Sequence, residues 1–96
     1  MSEFLVQMTL RLDPQMDAER LAGLRQREAI VARELADEGI IVRLWRIPGA
    51  RANWGLWRAP DVDGLHDAIR RLPLWPWAEV VVHPLAVHEN DPAIRS

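Results

Sequence analysis

The sequence predicts an α+β fold in which a four-stranded antiparallel sheet carries two helices on one face, in the order βαββαβ. Three observations lead there. The opening stretch "FLVQMTLRL" alternates strictly, two later segments repeat apolar residues at the helical period, and two apolar runs meet across a Pro-Gly turn. Strand, helix, strand, strand, helix, strand is the split βαβ arrangement.

In the first strand Phe4, Val6, Met8, Leu10 and Leu12 point one way, and Leu5, Gln7, Thr9 and Arg11 the other. "DPQMD" breaks it, with Asp17 as N-cap of the helix that follows and Gly39 at that helix's C-terminal end. "IIVRLWRI" is β-branched and apolar, a second strand ended by Pro48-Gly49. "RANWGLW" is the third strand, paired with the second as a hairpin and limited by Ala59-Pro60. Asp61 caps a short second helix, "VDGLHDAIRRL", with Val62, Leu65, Ile69 and Leu72 as its apolar stripe. "PLWPW" interrupts it, and "AEVVVHPL" is the fourth strand. Residues 1–96 read as one domain, with 88–96 a polar tail of no periodicity.

With 49% apolar residues the chain can build a core. A domain this short also leaves much apolar surface exposed, for which self-association is a remedy. Fourteen acidic residues against twelve basic ones, without a block of like charge, point to neither a nucleic acid nor a membrane as partner. No cysteine is present, which excludes disulfides, thiolate metal sites and a cysteine nucleophile. The start "MSEFLVQMTLRL" has neither a basic leader nor a long apolar run, so the expected location is cytoplasmic. Ser2 and Ser96 are the only serines and both are terminal, which leaves no serine nucleophile. Phosphate loops and metal motifs are missing, and His83 and His88 lack metal-site spacing, so no metal and no cofactor are expected.

One residue of the first helix is out of place. At about 100° per residue, Leu21, Leu24, Val31, Ala32 and Leu35 share an arc, and Glu28 sits in its middle. Two explanations compete. Glu28 pairs with Arg25 or Arg27, or the helix rolls enough to wet it; or else it lines a pocket between helix and sheet. There burial would raise its pKa and make it a proton-transfer group near neutral pH. In that second case Arg25, three residues earlier, would hold an anionic group of a substrate.

The remaining polar and aromatic candidates divide similarly. His66 flanks the stripe of the second helix and serves either structure or chemistry. Asn53, disfavoured inside a strand, needs either a structural hydrogen bond or a substrate carbonyl. Trp45 shares a strand face with Arg43 and Ile47, as core or as a pocket wall with an indole donor. Trp75 and Trp77 fit a packed corner or a subunit interface.

Together "LWRIPGARAN", "LHDAIRRLPLWPW" and "VVVHPLAVH" resemble the muconolactone Δ-isomerase family, which shows L-W-R-x-x-G-x-x-x-N, then L-H, L-P-L-x-P and P-L-x-x-H. The match runs from the first strand to His88 in one order. The resemblance implies a ferredoxin-like fold and a dimeric α+β barrel type of assembly, with homo-oligomers that are commonly decameric. It also implies a cofactor-independent shift of a proton and double bond in a small unsaturated lactone, a step of aromatic catabolism in the β-ketoadipate pathway. Glu28 matches the family's proton-transferring glutamate. Arg25 stands where lysine is usual, and Trp45, Asn53 and His66 match pocket positions.

The chain departs from the family at several places. Arg51 replaces a tyrosine, Gly55 a serine, "LWRAPD" stands where "F-D-V" is usual, and "LWPW" replaces "L-F-P-Y". The expected roles are therefore Glu28 as base, Arg25 and Arg51 on the substrate carboxylate, Asn53 and His66 on the dienolate oxygen, and Trp45 as an apolar wall. Alternative functions are a cofactor-free oxygenase of the dimeric α+β barrel kind, a lactone dehalogenase, and a non-catalytic oligomeric binding module.

Overall fold

The computed structural model describes residues 1–94; the last two residues of the predicted polar tail lie outside the described residues. The elements are β1 (Ser2–Leu10), α1 (Ala18–Asp37), β2 (Ile41–Arg46), β3 (Ala52–Ala59), α2 (Val62–Ile69) and β4 (Ala78–Leu85). Short 3₁₀ turns occupy Trp75–Trp77 and Pro92–Ile94, the second inside the polar tail, where the sequence shows no periodicity. The sheet order is β2-β3-β1-β4, with every neighbouring pair antiparallel. The predicted α+β class and βαββαβ order are what the chain adopts.

Alternation decides which face of the sheet meets the helices. Phe4, Val6 and Met8 of β1 are buried, and their register partners on β3 are Trp57, Gly55 and Asn53. These residues pack beneath α1 and α2, where Leu35, Leu65 and Ile69 complete the core. No helix among the described residues lies over the other face. It carries Leu5 and Gln7, then Trp54 and Leu56, then Val81, His83 and Leu85.

Local chemistry ends each helix where the sequence indicates. Asp17 Oδ1 accepts the Arg20 N–H at 2.6 Å, and Asp61 Oδ1 accepts the Gly64 N–H at 2.7 Å. Gly39 takes φ +79°, while the Ile40 N–H reaches back to the Leu35 carbonyl at 2.9 Å and closes α1. Between β2 and β3, Pro48 and Gly49 form a tight turn. Gly49 takes φ +78°, and the Ala50 N–H donates to the Ile47 carbonyl at 3.3 Å.

Three expectations need correction. β1 stops at Leu10 rather than Leu12. α2 stops at Ile69 rather than Leu72, because Pro73 disfavours helical backbone at the residue before it. The Arg71 and Leu72 N–H groups bond to Ala68 and Ile69, three residues back, as the chain tightens out of the helix. Val62 is 47% exposed and does not belong to the buried stripe, which Leu65, Ile69 and Leu72 supply.

Trp57 is 1% exposed and lies across the α-carbon of Gly55. A β-carbon on Gly55 would sit 2.5 Å from Trp57 Nε1 and 3.0 Å from a Leu44 methyl. The two departures from the family pattern on β3 are therefore coupled: the indole occupies the space that a serine side chain would need.

Candidate active site

Glu28 lies in the middle of α1, half-buried, with its side chain turned toward the end of α2 rather than along its own helix. Its Oε1 accepts the backbone N–H of Leu74 at 3.0 Å. Leu74 follows Pro73 in the break after α2, where helical hydrogen bonding has ended and its N–H is free to donate to a side chain. Burial raises the Glu28 pKa above the usual value of 4.5, and the Leu74 hydrogen bond opposes this more weakly. Among the described residues no ion pair involves Glu28, and neither Arg25 nor Arg27 binds it. The paired-carboxylate explanation is not the one the fold adopts.

Beside Glu28 is a small cavity of about 40 Å³, enclosed by Met8 and Leu10 of β1, Ile69 of α2, and Leu72, Leu74 and Trp75 of the following turn. Its walls are apolar except for Glu28 and Asn53. A void of this size admits about one or two waters, or one edge of a small ring.

Asn53 and Leu10 also line a second, larger space, an open groove of about 480 Å³. Asn53 is flanked by Met8 on β1 and Arg46 on β2 and makes no side-chain hydrogen bond among the described residues. Arg25, Trp45 and Arg51 line this outer groove with it. Because β2 is an edge strand, residues from both of its faces reach the groove. Leu44 and Arg46 share the face of Gly55 and Asn53, whereas Trp45 shares that of Trp54. Trp45 is 42% exposed and is not core; the Arg43 guanidinium stacks over its ring at 4.9 Å.

Of the residues singled out from sequence, Glu28 and Asn53 meet at the inner cavity, and Arg25, Trp45, Arg51 and Asn53 meet at the groove. His66 is half-buried on α2 and lines neither of these two spaces. Three contributors escaped sequence reasoning. The Leu74 N–H is a backbone group, announced only by the prolines around it. Trp75 packs against the core and walls the inner cavity instead of serving as a corner alone. Arg46 could have been found from strand alternation, which sets it opposite Trp45 and on the same face as Asn53. Among the described residues no cluster of His, Cys, Asp or Glu is arranged to hold a metal ion. No helix among them is long and apolar enough to cross a membrane.

A small α+β domain that desolvates one carboxylate without an ionic partner, beside a groove rich in arginine, has the constitution of an enzyme that moves protons on an anionic substrate. Comparison with known proteins makes this specific. The sequence model for "Muconolactone delta-isomerase" matches residues 2–91. The Muconolactone Delta-isomerase of Pseudomonas aeruginosa is 38% identical over 92% of this chain and 97% of its own length. Muconolactone Delta-isomerase 2 of Acinetobacter lwoffii is 38% identical over the same shares. A crystal structure of muconolactone isomerase superposes with a TM-score of 0.87 at 36% identity, covering 98% of this chain and 96% of that one. The chain belongs to the muconolactone Δ-isomerase family.

Proposed function

We propose that this chain isomerises muconolactone, or a lactone built like it, with Glu28 as the single proton carrier. Oε1 is held by the Leu74 N–H, which leaves Oε2 to act on the substrate. Oε2 takes the ring proton at the γ-carbon. The electron pair of that C–H bond enters the conjugated ring and leaves the charge on the carbonyl oxygen as a dienolate. The same carboxyl then returns the proton to the α-carbon, so the double bond moves while atoms and electrons balance.

The size of the inner cavity supports an arrangement in which only the reacting edge of the ring enters it. The carboxylated arm then rests in the outer groove against Arg25 and Arg51, and Trp45 forms the apolar wall. Asn53, common to both spaces, donates to the oxygen on which charge develops. His66 receives no part in this chemistry, since it lines neither space. The observation that carries the proposal is the half-buried Glu28 carboxylate, without an ion pair among the described residues, in a cavity that shares Leu10 and Asn53 with an arginine-lined groove.

Self-association belongs to the same proposal. Val81, Leu85, Trp54 and Leu56 share the sheet face that lacks helices, and a second copy applied there would cover apolar area that this chain leaves wet.

The test is turnover of muconolactone by purified protein and by Glu28→Gln. Loss of about 100- to 10,000-fold in kcat, with the circular dichroism of the native fold retained, is the expected result. Unimpaired turnover by the variant, or a rate that depends on dioxygen, would overturn it.

A further inference from the structure

Arg25 of α1, Arg46 of β2 and Arg51 of the β2–β3 turn line one groove, and no acidic residue lines it with them. Of the arginines elsewhere, four are ion-paired, Arg11 with Glu79, Arg58 with Glu3, Arg70 with Asp67 and Arg71 with Glu38. Arg20 lies over the Trp77 ring, whereas Arg27 and Arg33 on α1 stand outside the groove with no ion pair among the described residues. Arg43, the other arginine of β2, is stacked on Trp45. Among the described residues the three groove guanidiniums have no ion pair. Their mutual repulsion, and the preference of each for a forked carboxylate partner, make the groove an anion site. One carboxylate can satisfy one guanidinium bidentately or bridge Arg25 and Arg51 with one oxygen to each, and in neither case does it satisfy all three. A lactone with a single carboxylated arm therefore leaves the groove short of negative charge.

We infer that the outer groove binds small molecules carrying two carboxylates, one held from the helix side by Arg25 and the other from the hairpin side by Arg46 and Arg51. This rests on the site assignment made above, and it extends that assignment to a class of ligand. Two sources share this chemistry. The second acid can be a further substituent on the lactone, or the ligand can be an open-chain dicarboxylate. Adding water across the ring ester of a carboxylated lactone yields such a molecule, which would then inhibit by occupying the substrate's groove.

The experiment is calorimetric titration of the purified chain at low ionic strength with adipate and with hexanoate, which have equal length and differ by one carboxylate. Adipate should bind at least about tenfold more tightly. Arg46→Gln and Arg51→Gln should each cut that preference at least about threefold, while Arg51→Lys, which keeps the charge and loses the fork, should restore only part of it. Affinities for the two acids within twofold of one another, or a preference untouched by both glutamine variants, would overturn the inference. Competitive inhibition of lactone turnover by adipate identifies the open-chain source, and turnover of a lactone with two carboxylates identifies the substituted one. Glu28→Gln should still bind adipate. Failure of the isomerase proposal therefore shows as absent turnover with the preference intact, and failure of this inference as turnover without the preference.

Discussion

The Glu28 carboxylate, in the middle of α1, accepts the Leu74 backbone N–H at 3.0 Å across 46 residues of sequence. One bond thus joins the middle of one helix to the turn that follows the other. It orients the carboxylate and stabilises its charged form, while the surrounding apolar walls do the opposite and prevail.

The pH dependence of turnover follows from that balance. A base must be deprotonated to act, so kcat/KM should rise with pH through an acid limb centred above 4.5. A limb at or below the ordinary carboxyl value would contradict the assignment. The same shift has a sign in stability. Glu28 keeps its proton to higher pH in the folded chain than in the unfolded one. The native state therefore binds more protons across that interval, and stability falls as pH rises through it. Glu28→Gln should melt higher than the parent near neutral pH, with the gap closing below pH 4.5.

Removal of the Leu74 donor separates the two opposing effects. An ester in place of the Pro73–Leu74 amide deletes the N–H and keeps both side chains. With desolvation left unopposed, the acid limb should move further up in pH, and kcat should fall more than KM changes, because the carboxylate loses its orientation. An unmoved limb would mean that the bond is incidental.

Gly55 and Trp57 should behave as a unit. Gly55→Ser introduces a side chain into space that the indole fills, and should cost about 1–3 kcal/mol in urea unfolding. The Trp57 indole N–H is buried without a partner among the described residues, so Trp57→Phe loses no hydrogen bond seen there. It opens the space that the serine needs, so the double variant should be more stable than the sum of the single effects. Simple additivity would show that the close approach is relieved some other way.

On the helix-free face, Val81 is 49% exposed, opposite Gln7 of β1 and between Glu79 and His83 of its own strand. Val81→Glu should reduce the mass measured by light scattering to that of a single chain and leave the secondary structure intact. An oligomer of unchanged mass would place its interface elsewhere, and a parent chain already at the mass of one chain would overturn the proposed self-association.

Much of this molecule was legible in one dimension because its determinants are local. Alternation in β1, the aspartates at 17 and 61, Gly39 and the Pro48-Gly49 turn each act within a few residues, and the βαββαβ order follows from their succession. Glu28 was legible for the same reason, since a helical wheel needs only spacing. The extent of α2 and the exposure of Val62 were misjudged because periodicity does not record where a proline downstream ends a helix or where neighbouring elements stop covering it.

What the chain alone determined, then, was the fold, the family resemblance and the presence of a carboxylate on an apolar arc. Whether that carboxylate met Arg25 or a cavity, that its partner is the Leu74 N–H, and that Arg46 joins Arg25 and Arg51 in one groove were decided by tertiary structure. The physical reason is distance along the chain. Glu28 and Leu74 stand 46 residues apart, and Arg25 lies on a different element from Arg46 and Arg51, so only the packing of α2 and its turn against α1 and the edge of the sheet brings these groups within reach of one another.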